Sequence, residues 1–123
     1  MDYNRFVSEL ERLDFEDFLW IVFAILCLLN YSGDNNDKAY IRTNDYYYKR
    51  SSNTIFELTV IVTFIIYVYF LVRNYKFYAK ASEEEKSLYF VKVLGSCFLI
   101  AGSICLIYFQ TVMFINDNKK EYT

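Results

Sequence analysis

"VLGSCFLIAGSICLIYFQTVMFI", Val93 to Ile115, runs for twenty-three residues without a charge, directly after Lys92. A bilayer's hydrocarbon core is about 30 Å thick, and roughly 20 apolar helical residues cross it. This segment meets that length outright. In a water-soluble helical bundle, the alternative, every side of such a helix would have to be hidden. Hydrocarbon is therefore the expected solvent.

Two further segments extend the pattern. "IFELTVIVTFIIYVYFLV", Ile55 to Val72, holds one carboxylate near its start. "FLWIVFAILCLLNY", Phe18 to Tyr31, is shorter. Phe15 lengthens it, and Glu16 and Asp17 fit the headgroup level. The expected fold is all-α: an integral membrane bundle of three transmembrane helices with spans at about 15–31, 55–72 and 88–115 of a domain covering 18–116. Residues 1–17 carry Phe6, Leu10 and Leu13 at helical spacing beside Glu9, Glu11 and Arg12, which predicts a short interfacial amphipathic helix. Residues 117–123 form a polar tail. Tyrosines and Trp20 cluster near the span ends, as aromatic belts do.

Capping patterns suggest where the helices start. Thr54-x-x-Glu57 has the form of a capping box opening the second span, and Ser82-x-x-Glu85 one opening the third. The latter would place Glu83, Glu84 and Glu85 in a first helical turn, where the helix dipole favours anions. The third helix is then expected from about Glu83 to Asn116, with "SGDNNDKAYIRTNDYYYKRSSN" as a long polar loop before the second.

Composition narrows the function classes. Of 123 residues, 55% are apolar and 21% aromatic, yet mean hydropathy is only +0.13, because charges gather outside the apolar runs. A formal net charge of −2 gives no basic surface for nucleic acid. Proline is absent, which permits long helices. Histidine is absent too, which removes the commonest general base and zinc ligand. Cys27, Cys97 and Cys105 lie in apolar runs with no C-x-x-C pair, and read as buried small hydrophobes. The acidic N-terminal stretch fits a cleavable signal peptide poorly.

Lysine and arginine are tied between the two sides of a three-span topology, six against six. The dense cluster "RNYKFYAK" after the second span tips the expectation to a cytoplasmic N-terminus in a cell (plasma or inner) membrane.

Helices in lipid associate through close packing and interhelical hydrogen bonds, so small residues mark contact faces. Gly95 and Gly102 are seven apart, as are Ser96 and Ser103, which puts these four on one side of the third helix. Cys97, Ala101 and Cys105 repeat at spacing four on another. Thr59, Thr63 and Tyr67 form a seam on the second span, with Asn74 further along it. This is a hydroxyl-lined path or a contact seam, unless each threonine bonds back to its own helix. Charges within spans are costly and often functional. Glu57 is a carboxylate for ion or proton handling, or a helix cap. Lys92 snorkels to headgroups or pairs with Glu16 or Asp17. Asn30, Glu57 and Gln110 share one side of an up-down-up arrangement and could form a polar cluster.

No phosphate loop, nucleophile constellation or regular calcium loop is present. The expectation is no enzyme, no cofactor and no metal. The expected partners are the lipid bilayer, further copies of the chain, and another membrane protein; nucleic acid is not among them. The leading functional expectation is a homo-oligomeric channel-like or pore-forming assembly built on the third helix. The alternative is a non-conducting accessory, immunity-like or scaffold subunit.

Overall fold

The computed structural model describes residues 2–121. Among them the chain forms three helices and no strand: α1, Tyr3–Thr43; α2, Tyr46–Lys80; and α3, Lys86–Glu121. At 1.5 Å per residue, α1 with its 41 residues is about 60 Å long, twice the hydrocarbon thickness. The fold is all-α, as expected.

The helix ends lie elsewhere than the sequence patterns suggest. Asp2 caps α1, accepting from the Arg5 N–H at 2.7 Å. Residues 3–17 are not a separate interfacial helix; they are the first turns of α1. No glycine or proline interrupts the chain before Gly33, and Arg12 braces this part by bonding Glu9 and Glu16, one turn away on either side. The polar segment after Tyr31 is no loop, because it stays helical through Thr43. The turn is the pair Asn44–Asp45. Asn44 adopts the left-handed conformation (φ 57°) and its N–H bonds the Tyr40 carbonyl, a helix stop that asparagine tolerates better than most residues. Asp45 caps α2 through the Tyr47 N–H at 3.0 Å.

Both predicted capping boxes are therefore displaced. Thr54 and Glu57 sit inside α2. At the second turn the Ser82 backbone carbonyl accepts from the Glu85 N–H at 3.1 Å, and α3 starts only at Lys86, so Glu83, Glu84 and Glu85 precede it. α3 runs past the predicted end near Asn116 to Glu121. Residues 122 and 123 of the predicted polar tail lie outside the described residues.

α2 is central and antiparallel to both neighbours. The backbones of α1 and α3 nowhere come within 8 Å of each other, Cα to Cα, among the described residues. They flank α2 and leave a groove between them with α2 as its floor.

Burial is inverted relative to a protein folded in water. Among the described residues the buried apolar side chains are Leu19, Leu26 and Ile66; against these three stand nine buried polar or charged residues. Phe18, Trp20, Leu28, Phe98, Leu106 and Phe109 are exposed. Water would favour the reverse arrangement. α2 and α3 are long and apolar enough to cross a bilayer, and only 11% of the most apolar stretch of each is buried. α1 is not apolar enough by the same measure, because its apolar run is short and has polar turns at both ends. Cys27, Cys97 and Cys105 are exposed free thiols, not the buried residues predicted.

Each helix buries a stripe at sevenfold spacing, the repeat of left-handed helix packing. α1 contributes Leu19, Leu26 and Gly33; α2 contributes Ser52, Thr59 and Ile66; α3 contributes Ser96, Ser103, Gln110 and Asp117. Apart from Leu19, Leu26 and Ile66 the stripes are polar or glycine. Gly33 marks the closest approach. A Cβ there would lie 2.8 Å from the Phe56 ring of α2.

Candidate functional site

The groove is the main concave feature. Three cavities follow it from the α2–α3 turn inward. The first, about 740 Å³, lies between the N-terminal part of α1 and the end of α2, with Arg5, Arg12, Arg73, Lys76 and Lys80 in its wall. The second, about 400 Å³, shares Arg73 and continues between Trp20, Phe23, Phe70 and Leu99. The third, about 270 Å³, shares Phe23 and Tyr67 with the second and reaches Asn30, Thr59, Thr63 and Ser103. The shared residues place the three cavities side by side along the groove, with Arg73 between the first and the second. The groove floor on α2 includes the predicted seam of Thr59, Thr63, Tyr67 and Asn74.

An ionic cluster closes the basic end. Glu16 is only 5% exposed. Its carboxylate accepts from Arg73 at 2.7 Å, from Arg12 at 2.9 Å and from the Tyr69 hydroxyl at 3.2 Å. Arg73 also donates to the Asn74 side-chain Oδ1 at 2.9 Å and stacks over Phe70, its guanidinium 4.7 Å from the ring centroid. A buried carboxylate is costly unless paired, and here two guanidiniums and a phenol meet it. Further out, the Arg12 hydrogen bond and charge hold the exposed Glu9 carboxyl below its ordinary value of 4.5.

Along α2 and α3 the polar groups bond to one another. Asn74 donates to Ser96 Oγ at 2.7 Å, and that hydroxyl donates to the Lys92 carbonyl at 3.1 Å. Ser103 bonds back to the Leu99 carbonyl at 2.9 Å. At the far end Asn53 donates to Asp117 at 2.6 Å and accepts from Gln110 at 3.3 Å, while Thr111 donates to Glu57 at 2.7 Å.

The predicted residues separate accordingly. Asn30 meets Thr59, Glu57 meets Thr111, and Gln110 meets Asn53, so these three join different pairs and do not bond one another. Thr59 both reaches Asn30 at 2.9 Å and bonds back to the Phe56 carbonyl at 3.0 Å. Thr63 and Tyr67 line the groove, Tyr67 with its ring against Phe23. Lys92 is exposed and forms no ion pair among the described residues; Arg73 takes the position at Glu16 predicted for it. Of the predicted packing residues, Ser96 and Ser103 are buried, but Gly95, Ala101 and Gly102 are exposed. Neighbouring helix positions differ by about 100°, so the serines face α2 and the glycines do not.

Sequence reasoning missed the Arg12–Glu16–Arg73–Tyr69 cluster and the pairs at Asn53, Asn74 and Asp117. The sevenfold recurrence Ser96, Ser103, Gln110, Asp117 was the available signal for the α3 half. No group of three His, Cys, Asp or Glu residues is placed to hold a metal among the described residues. Comparison of the chain with protein-family models, curated proteins and solved structures finds no match.

Proposed function

We propose that the chain is a three-pass integral membrane protein that self-associates through the outer face of α3 and acts as a non-conducting assembly subunit. One observation carries this reading: nothing lies within 4 Å of the position a Cβ would take on Gly95 or Gly102. Ala101 beside them is exposed as well. A face suited to close backbone approach therefore has no partner within the chain, and in hydrocarbon such a face draws helices together.

Crossing by α1 is supported by the fate of its charge. Glu16 sits at the end of the apolar run and is neutralised internally by Arg12 and Arg73. The run 15–31 spans about 26 Å as a helix, slightly short of the hydrocarbon core, which a bilayer accommodates by local thinning. The N-terminus and the basic end of α2, Arg73 to Lys80, then share the cytoplasmic side of a cell membrane.

The hydrogen bonds support the non-conducting reading: Asn30, Asn53, Thr59, Asn74, Ser96 and Gln110 all bond within the chain. The outer surface left to a neighbour is apolar.

The test is the particle mass in detergent and crosslinking in bilayers. The native chain should be oligomeric, and Gly95→Leu with Gly102→Leu should be monomeric with unchanged helix content, because among the described residues nothing from outside the local backbone lies within 4 Å of either Cβ position. A monomeric native particle, or an oligomer that survives both leucines, overturns the proposal. A partner of different sequence on this face would appear as a heteromer.

A channel-like assembly is the second reading. It is favoured by Thr59, Thr63, Tyr67 and Asn74 on the groove floor, which facing grooves of several copies would bring towards a common axis. Ion flux through liposomes at high protein load supports it; sealed vesicles remove it.

A further inference from the structure

The groove changes character along its length, and the change matches one kind of molecule. At the α2–α3 turn its wall holds five cationic side chains and two acidic ones, Glu9 and Glu85. Arg12 and Arg73 are engaged with Glu16, but Arg5, Lys76 and Lys80 form no ion pair among the described residues, and Lys76 and Lys80 are exposed. Arg12 also keeps a buried Nε that has no acceptor. Beyond Arg73 the wall turns aromatic and aliphatic, with Trp20, Phe23, Phe70 and Leu99. From Arg73 to Thr63 along α2 is about 15 Å, half the hydrocarbon thickness, and so the depth of one leaflet. Because α1 and α3 stand apart, the groove is open sideways along its length.

We propose that this groove is a binding site for an anionic phospholipid, its phosphate held by Arg5, Lys76 and Lys80 beside the Arg12–Arg73 cluster and one acyl chain lying over Trp20, Phe23 and Phe70. Basic pockets between helices at the headgroup level recognise anionic lipids by charge. A free phosphate would use the cationic end but leave the adjoining apolar cavity empty. A zwitterionic lipid would fill the apolar part and gain little from the unpaired cations. The inference rests on the membrane reading above and is independent of self-association.

Trp20 is the sole tryptophan of the chain and lines the apolar part of the groove, so it reports occupancy directly. Purified protein in detergent micelles is titrated with phosphatidylglycerol brominated in its acyl chains, and separately with brominated phosphatidylcholine, following quenching of Trp20. Phosphatidylglycerol should quench at a mole fraction about tenfold lower, given roughly a tenfold gain for each cation or two at the headgroup. Lys76→Gln with Lys80→Gln, both exposed and so neutral for folding, should remove that preference and leave quenching by phosphatidylcholine unchanged. Equal quenching by the two lipids, or a preference that survives both substitutions, overturns the lipid site while the membrane reading stands. Relief of phosphatidylglycerol quenching by millimolar inorganic phosphate, without effect on phosphatidylcholine, supports the cationic contact. No relief for either lipid assigns any phosphate site to a place remote from the tail and overturns the proposal. Failure of both lipids to quench Trp20 overturns the lipid site together with the crossing by α1 on which it rests.

Discussion

Gly33 and Gly95 are the same residue in opposite surroundings, and a single methyl group should tell them apart. At Gly33 a Cβ meets three carbons of the Phe56 ring at 2.8–3.3 Å, so the ring must move. Overpacking of this kind costs about 1–3 kcal/mol, against up to about 1 kcal/mol gained by alanine in a helix. Gly33→Ala should therefore lower thermal stability in detergent, and in a Phe56→Ala background the sign should reverse. A double-mutant cycle measures that coupling; additive effects would mean the two helices are not this close. Gly95→Ala meets nothing and should stabilise the monomer by about 1 kcal/mol. Glu16 is the other decisive residue. Its removal in Glu16→Ala leaves Arg73, whose side chain is 17% exposed, without its carboxylate, and breaking a buried pair from one side costs about 3–5 kcal/mol. Glu16→Gln retains an acceptor for Arg73 and should cost less. Since the pair is buried, 1 M salt should change the loss little. A loss below about 1 kcal/mol, typical of surface pairs, would show that water reaches the cluster.

At the scale of the elements, α2 and α3 hold together through polar contacts at both ends of their interface, and this sets which changes matter. Asn53→Leu strips a partner from both Asp117 and Gln110 at once; each buried group left unpaired costs about 1–3 kcal/mol. Replacing both members of the other pair, Asn74→Leu with Ser96→Ala, leaves no orphan from their mutual bond except the Asn74 oxygen's tie to Arg73, and should cost less than Asn53→Leu. Thermal unfolding of the two variants gives the order, and the reverse order would place the stability of this interface at the Asn74 end. The apolar runs of α2 and α3 were legible from composition alone, because uncharged stretches approaching or exceeding the length of a bilayer crossing have few other readings. The helix ends were not. The stretch from Ser32 to Thr43 looks like a loop by polarity, but it contains no proline, and it packs against the start of α2 through Asn36 to Ser51 and Asp37 to Lys49. Thr54 and Glu57 match a capping pattern that has no force once Asp45 has begun the helix nine residues earlier. On α3 the sevenfold spacing was legible, but which of two adjacent residues faces the neighbour depends on α2, whose Asn74 selects Ser96 over Gly95. The ionic cluster joins residues 57 positions apart in the chain, a separation at which local periodicity carries no signal.

The arrangement of the whole molecule, apolar outside and polar within, can be tested through its own cysteines. Cys27, Cys97 and Cys105 are exposed free thiols on two apolar stretches, the last two both on α3. If water surrounded the chain, all of them would react readily with a charged maleimide. If hydrocarbon does, two effects oppose the reaction: a charged reagent does not enter the layer, and the reactive thiolate is itself disfavoured in apolar surroundings. Native protein in liposomes should therefore remain unlabelled, and denaturation should release three reactive thiols per chain. Engineered cysteines at exposed polar positions provide the positive control and read the topology in the same experiment. Arg5→Cys and Glu84→Cys lie at one end of the bundle, Arg42→Cys at the other. In a background with the native cysteines replaced by alanine, an impermeant reagent added outside should label either the first two or the third in any one orientation. Three crossings require this pattern, since an even number would put the N-terminus and the α1–α2 turn on one side. Labelling of Arg5→Cys together with Arg42→Cys in sealed, uniformly oriented vesicles would leave α1 lying on the membrane while α2 and α3 cross. Rapid labelling of native Cys97 and Cys105 would remove the bilayer from around the bundle, because no other part of the chain covers those two thiols.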